Sequence, residues 1–185
     1  MTSATTYPQL TGEYTIDGAH SRIGFVARHA MVTKVRGSFN EFEGTFSLNG
    51  DDPAKSSAKV VIQTKSIDTR NADRDGHLRT NDFLSCDEHP TITFTSTSIN
   101  QADEASFDVT GDLTIKGVTK TVTIPFSYEG TAKDPFGNDR VGFEGSTAIN
   151  RRDYGVSFNA PLETGGVLVS DKVTLEFEIS AIKSA

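Results

Sequence analysis

The sequence predicts an all-β fold: an eight-stranded antiparallel lipocalin-like barrel with one short helical insertion at about residues 68–84. Three observations carry that prediction. Apolar and polar residues alternate with period two along most of the chain, the pattern of strands with one buried face. Several of these runs reach ten or more residues, beyond the common strand length of about five or six. Edges that long would invite aggregation, and closing the sheet removes them.

The elements follow in order. Ile23, Phe25 and Ala27 alternate with Arg22, Gly24 and Arg28. Phe39, Phe42, Phe46 and Leu48 come next, in a Gly-punctuated segment that calls for a bend or bulge. Residues 59–67 and 91–99 supply two further strands. Phe107, Val109, Gly111, Leu113 and Ile115 share one face and end at the turn signal Lys116-Gly117. Val122, Ile124, Phe126 and Tyr128 form another face, and Val141, Phe143, Gly145, Thr147 and Ile149 the next. The clearest run is the last, where Val173, Leu175, Phe177, Ile179 and Ala181 alternate with Lys172, Thr174, Glu176, Glu178 and Ser180.

The stretch from Asp68 to Leu84 has no alternation. Asp68 or Asn71 is placed to cap a helix there, with Leu78 facing inward and Phe83 and Leu84 plugging a second turn against the barrel end. No repeat or low-complexity tract divides the chain, which reads as one domain over residues 1–185, with residues 1–11 a flexible polar tail.

Composition narrows the function. The net charge of −7 and pI of 5.0 oppose a nucleic-acid partner or general attraction to an anionic bilayer, while leaving room for a small local basic patch. Cys86 is the only cysteine, so no internal disulfide forms and a reducing compartment fits. Residues 1–14 carry no secretory pattern and no run approaches the ~18 apolar residues of a membrane span. The expected location is the cytoplasm. Twelve Phe, four Tyr and no Trp supply wide apolar walls with few polar atoms to satisfy.

Reactive constellations are sparse. His20, His29, His77 and His89 form no metal-binding spacing, so no metal site is expected. Cys86 precedes His89 in an acidic stretch, the wrong surroundings for a thiolate nucleophile. The densest cluster is Asp68, Arg70, Asp73, Arg74, Asp75 and His77. An acid–base group around Asp75 and His77 would make an enzyme for a hydrophobic substrate, but Arg–Asp pairs and caps within one turn favour a structural role. Arg151 and Arg152 have two readings: a turn with an Arg–Asp pair, or contacts to an anionic head group at the barrel mouth. No catalytic residue and no cofactor is expected.

The order of motifs resembles the YceI-like family of bacterial lipocalin-like, polyisoprenoid-binding proteins. The resemblance rests on Tyr14-Thr15-Ile16-Asp17 with His20-Ser21 and Phe25, on Val35-Arg36-Gly37-Ser38-Phe39, and on Ser66-Ile67-Asp68-Thr69. It continues through Arg74-Asp75-Gly76-His77-Leu78, Asp82-Phe83 and His89-Pro90-Thr91-Ile92-Thr93-Phe94. Gly111-Asp112-Leu113-Thr114-Ile115-Lys116-Gly117-Val118-Thr119-Lys120 and Asn150-Arg151-Arg152-Asp153-Tyr154-Gly155 complete it. The resemblance implies an elongated apolar pocket that binds, stores or transports a long-chain isoprenoid without catalysis. A polyprenyl phosphate, a prenyl-tailed quinone or a similar lipid would serve. It also implies a homodimer. Many family members carry an export signal, and this sequence departs by showing none. The pocket residues it suggests are Phe25, Phe39, Phe42, Ile62, Phe83, Phe94, Leu113, Ile124, Phe126, Phe143 and Phe177. A register shift of one residue would turn any of them outward.

Overall fold

The computed structural model describes residues 7–160, 162 and 166–184. The alternating runs become β1 (Gly12–Ile16), β2 (Arg22–His29), β3 (Thr33–Phe39), β4 (Phe42–Leu48), β5 (Ser57–Gln63) and β6 (Ile67–Asp68). After helix α1 (Ala72–Leu78) come β7 (Thr91–Gln101), β8 (Ser106–Ile115), β9 (Val118–Lys133), β10 (Asp139–Asn150) and β11 (Lys172–Lys183). Every pairing is antiparallel, and β1 pairs with both β4 and β11, which closes the sheet. β1 and β2 both run beside β11, so they are two halves of one strand. β3 with β4, and β5 with β6, are likewise continuous. The eleven segments therefore make the expected eight-stranded antiparallel barrel.

Side-chain and backbone hydrogen bonds bridge the three breaks. Asp17 ends β1 and accepts the Ala19 N–H, which starts a single 3-10 turn before β2. At the next break the Asn40 N–H donates to the Ser66 carbonyl, the Gln63 N–H to the Glu41 carbonyl, and the Asn40 amide to Asp68. Backbone groups released from the ladder thus find other partners. The bend expected in this Gly-punctuated region falls between Phe39 and Phe42, at Asn40-Glu41, and not at a glycine.

Arg140, on β10, fastens the first break across β11 to the β9–β10 turn. Its guanidinium donates to Asp17 and to Asp134, each at 2.8 Å, and a His20 ring nitrogen lies 2.7 Å from Asp17. The Arg140 and His20 hydrogen bonds hold the Asp17 carboxyl down at about 2. Asp134 also accepts the N–H groups of Phe136 and Asn138, which fixes the β9–β10 turn.

The other end is capped by the insertion. Asn71 accepts the Arg74 N–H as helix cap, while Asp68 accepts the Arg70 N–H just ahead of it. Buried Asp75 accepts from both the N–H and the hydroxyl of Thr69, and Arg74 donates to Thr69. The helix is shorter than the insertion because residues 79–89 fold into turns, with Arg79 donating to the Lys65 and Ile67 carbonyls. Phe83 and partly buried Leu78 and Leu84 join the core beneath this cap, together with Tyr154 and Val156.

Of the two readings of Arg151 and Arg152 the contacts fit the turn, and the expectation of a flexible tail is corrected for residues 7–11. Arg151 is only 5% exposed and donates to the carbonyls of Ser170, Val156 and Val169, so its charge ties the 151–156 turn to the 169–171 segment rather than facing a head group. Arg152 is half-exposed but engaged with Asp171 at 2.6 Å. Within the tail, residues 1–6 lie outside the described part, but Tyr7 and Leu10 are not loose. The Tyr7 N–H donates to Gly50, its hydroxyl donates to the Glu104 carbonyl, and its ring packs on Tyr128 at 5.0 Å. Leu10 is buried beside Tyr14 and Phe46. Two apolar residues in a polar stretch carry no periodicity, yet they suffice to anchor it.

Two measurements follow from these contacts. Asp17 has a lowered carboxyl pKa, so its contribution is complete above pH about 4 and is lost as pH falls toward about 2. Asp17→Asn should cost about 1–3 kcal/mol at neutral pH and flatten the loss of stability across that acid window, read by denaturant melts at a series of pH values. Arg151→Met should destabilise by about 3 kcal/mol, because the Ser170 and Val156 carbonyls lose this donor and Val169 keeps only that of Asn159. Chemical denaturation of the purified variant checks it.

Candidate functional site: an apolar cavity inside the barrel

The inward-facing positions of the strands enclose a cavity of about 170 Å³. Its walls come from alternate residues, such as Phe107, Val109 and Leu113 on β8 and Leu175, Phe177 and Ile179 on β11. Two inward glycines keep the lumen open. A Cβ at Gly111 would stand 2.7 Å from the Phe94 ring, and one at Gly145 would stand 2.6 Å from the Phe126 ring. These rings therefore lie flat over bare backbone and form wall instead of filling. Phe143, Leu175 and Ile179 remain only partly buried although they point inward.

The lining is long and narrow. From Phe107 to Ile115 on β8 it spans eight residue steps, roughly 27 Å along the strand and ~20 Å along the axis of a tilted barrel. One end stops at Ile92 and Ile115, beneath the cap that contains Phe83 and Tyr154. The opposite end reaches Tyr7, Leu10, Asn49, Gly50, Pro53, Ser56 and Ser57. Polarity is confined to that end, and much of it is already used. Asn49 accepts the Asp51 and Asp52 N–H groups, while Ser56 accepts the Asn49 N–H.

Phe39, Ile62, Phe94, Leu113, Ile124, Phe126, Phe143 and Phe177 all line this cavity. Three of the expected residues do not. Phe25 lies over Gly37 and packs on Phe39 at 5.8 Å, away from the lumen. Phe42 sits at the β3–β4 break and packs against both groups of core residues. Phe83 lies under the cap, 5.0 Å from the His77 ring and 5.2 Å from Phe158. The expected set, weighted toward Phe, did not include the aliphatic wall residues Ile16, Leu48, Val60, Ile99 and Ile179. The same alternation marks most of these.

The reactive candidates lie elsewhere. His77 pairs with Asp82 at 2.8 Å and packs edge-on to Phe83 and Phe158, and neither His77 nor Asp75 borders the cavity. Cys86 is 1% exposed. Among the described residues no group of three or more His, Cys, Asp or Glu side chains could hold a metal ion. No helix among them is long and apolar enough to cross a membrane.

Comparison with known proteins places this geometry. The crystal structure of Burkholderia cenocepacia BcnA is similar, with a TM-score of 0.79 and 26% identity, covering 89% of this chain and 98% of that one. A Campylobacter jejuni YCEI protein superposes with a TM-score of 0.72 at 28% identity, over 85% of this chain and 90% of that one. A polyisoprenoid binding domain from Saccharophagus degradans shares the fold, with a TM-score of 0.70 at 16% identity over 92% and 98% of the two chains. In sequence, a UPF0312 protein of Ectopseudomonas mendocina is 40% identical over 80% of this chain and 78% of its own length. One of Vibrio vulnificus is 38% identical over 92% and 87%. Residues 14–181 match the YceI-like domain, and the chain belongs to that family.

Proposed function

We propose that the protein binds a long-chain isoprenoid in the barrel cavity and holds or carries it without changing it chemically. The observation that carries this reading is the shape and lining of the lumen: narrow, ~20 Å long, apolar along its length and polar at one end only. A prenyl chain fits such a space. Each buried CH₂ contributes about 0.8 kcal/mol, so affinity can be high with few polar contacts. The use of the same fold by a polyisoprenoid binding domain supports the assignment. A polyprenyl phosphate or a prenyl-tailed quinone is the ligand class proposed. The internal pairing of the Asp75 and His77 side chains supports a role outside catalysis. The lone, buried Cys86 supports the cytoplasm as its place of action, and the family resemblance supports a homodimer, which sedimentation velocity can test.

Organic extraction of the natively purified protein, followed by mass spectrometry, should yield a long-chain lipid at close to one per chain. In a series of prenyl alcohols, affinity should rise roughly fourfold per added CH₂ and then level off once the chain outgrows the lumen. Val60 lines the wall, and Val60→Trp should lower affinity at least tenfold while the melting temperature holds. A lipid-free extract from a protein that also refuses prenyl lipids would sink the proposal.

A further inference from the structure

The hairpin formed by β2 and β3 carries a feature that the cavity does not explain. Residues 28–36 contain Arg28, His29, Lys34 and Arg36 and no acid, in a chain whose net charge is −7. Strand register puts Arg28 directly opposite Lys34, and Arg36 two residues further along the same outer face. Like charges opposed across a ladder oppose its pairing. No carboxylate among the described residues forms an ion pair with any of the three, and Asp171 nearby is engaged with Arg152. Glu163 lies outside the described residues.

The hairpin apex is apolar. Met31 is 66% and Val32 74% exposed, and Val167 of the adjoining segment is 40% exposed. The Ala30 N–H donates to Leu168, so the hairpin and this segment form one surface. Ala30 and Met31 have φ of 52° and 62° in the three-residue connection between His29 and Thr33, positions that glycine or asparagine would occupy with less strain. The turn thus keeps a large apolar side chain at the tip.

We infer that this hairpin docks the protein on an anionic lipid bilayer, with Met31 and Val32 entering the acyl boundary and Arg28, Lys34 and Arg36 meeting the head groups. A convex apolar tip ringed by cations matches that surface in both charge and shape. A bilayer yields around a projecting tip, whereas a folded partner would need a matching hollow. The rest of the acidic surface is repelled, so the hairpin end is the one that faces the membrane. The assignment holds whatever occupies the cavity.

Co-sedimentation with vesicles of phosphatidylcholine, with and without phosphatidylglycerol, tests it on the full chain. Binding should require phosphatidylglycerol and weaken as salt is raised. The triple variant Arg28→Gln, Lys34→Gln, Arg36→Gln should bind about a hundredfold more weakly, at about fivefold per cation. Its melting temperature should stay level or rise, because the Arg28–Lys34 repulsion is gone. Val32→Trp should show blue-shifted fluorescence with anionic vesicles and none with neutral ones. Equal binding to both vesicles, or binding unchanged in the triple variant, overturns the inference. So does an absence of vesicle binding with self-association that the triple variant abolishes, which would make the surface a contact between copies of this chain.

Discussion

Everything in this molecule depends on the closure of the ladder by β1, which pairs with β4 on one side and β11 on the other. An open sheet of these lengths would present unpaired backbone edges and would have to bury its apolar face against something else. Once closed, the sheet satisfies its own hydrogen bonds and turns that face onto itself. The breaks at Asp17, Asn40 and residues 64–66 would weaken the closure if they were plain interruptions. The Asp17–Arg140 and Asn40–Asp68 side-chain bonds, with the Asn40–Ser66 and Gln63–Glu41 backbone bonds, hold the breaks together.

Closure makes a hollow interior affordable in hydrogen-bond terms but not in packing terms. An unfilled space of about 170 Å³ corresponds to roughly 4 kcal/mol of lost contact, at ~24 cal/mol per Å³. The chain accepts that cost at defined places. Gly111 and Gly145 remove the side chains that would project into the lumen, and the Phe94 and Phe126 rings lie across the gaps. A guest of matching width restores those contacts. For the proposed ligand, binding energy and barrel stability would therefore draw on the same volume.

Much of this was legible in the residues. Period-two alternation marks β8, β10 and β11 without help, and eight of the eleven expected pocket residues line the lumen because inward and outward follow parity within a strand. Parity fails where a strand breaks or leaves the lumen: Phe42 stands at the β3–β4 break, and Phe25 lies on the part of β2 that runs toward the hairpin. Phe83 belongs to no strand, so alternation never governed it. The role of Arg151 depends on which carbonyls surround it in space, and local sequence holds no record of that. Tyr7 and Leu10 were hidden for a related reason, since two isolated anchors leave no period to detect.

The distribution of charge joins the two surfaces of the molecule. The cavity's polar end lies by Asp51 and Asp52, while Arg28, Lys34 and Arg36 share the outer face of the β2–β3 hairpin at the capped end. Pro125 adds a further asymmetry in the wall. It has no N–H to donate, its carbonyl lies beside Gly145, and the β9–β10 ladder ends at the neighbouring Phe126–Gly145 pair. Beyond that point, as residues 118–125 run toward the capped end, β9 keeps its β8 ladder and, toward β10, a Thr147 hydroxyl bond to the Thr123 carbonyl in place of a ladder. The wall is therefore least firmly bonded in the same half of the barrel that bears the basic hairpin. If the lumen holds the proposed prenyl chain and the hairpin the proposed membrane contact, exchange through this half of the wall would spare the guest a passage past Asp51 and Asp52 at the other end.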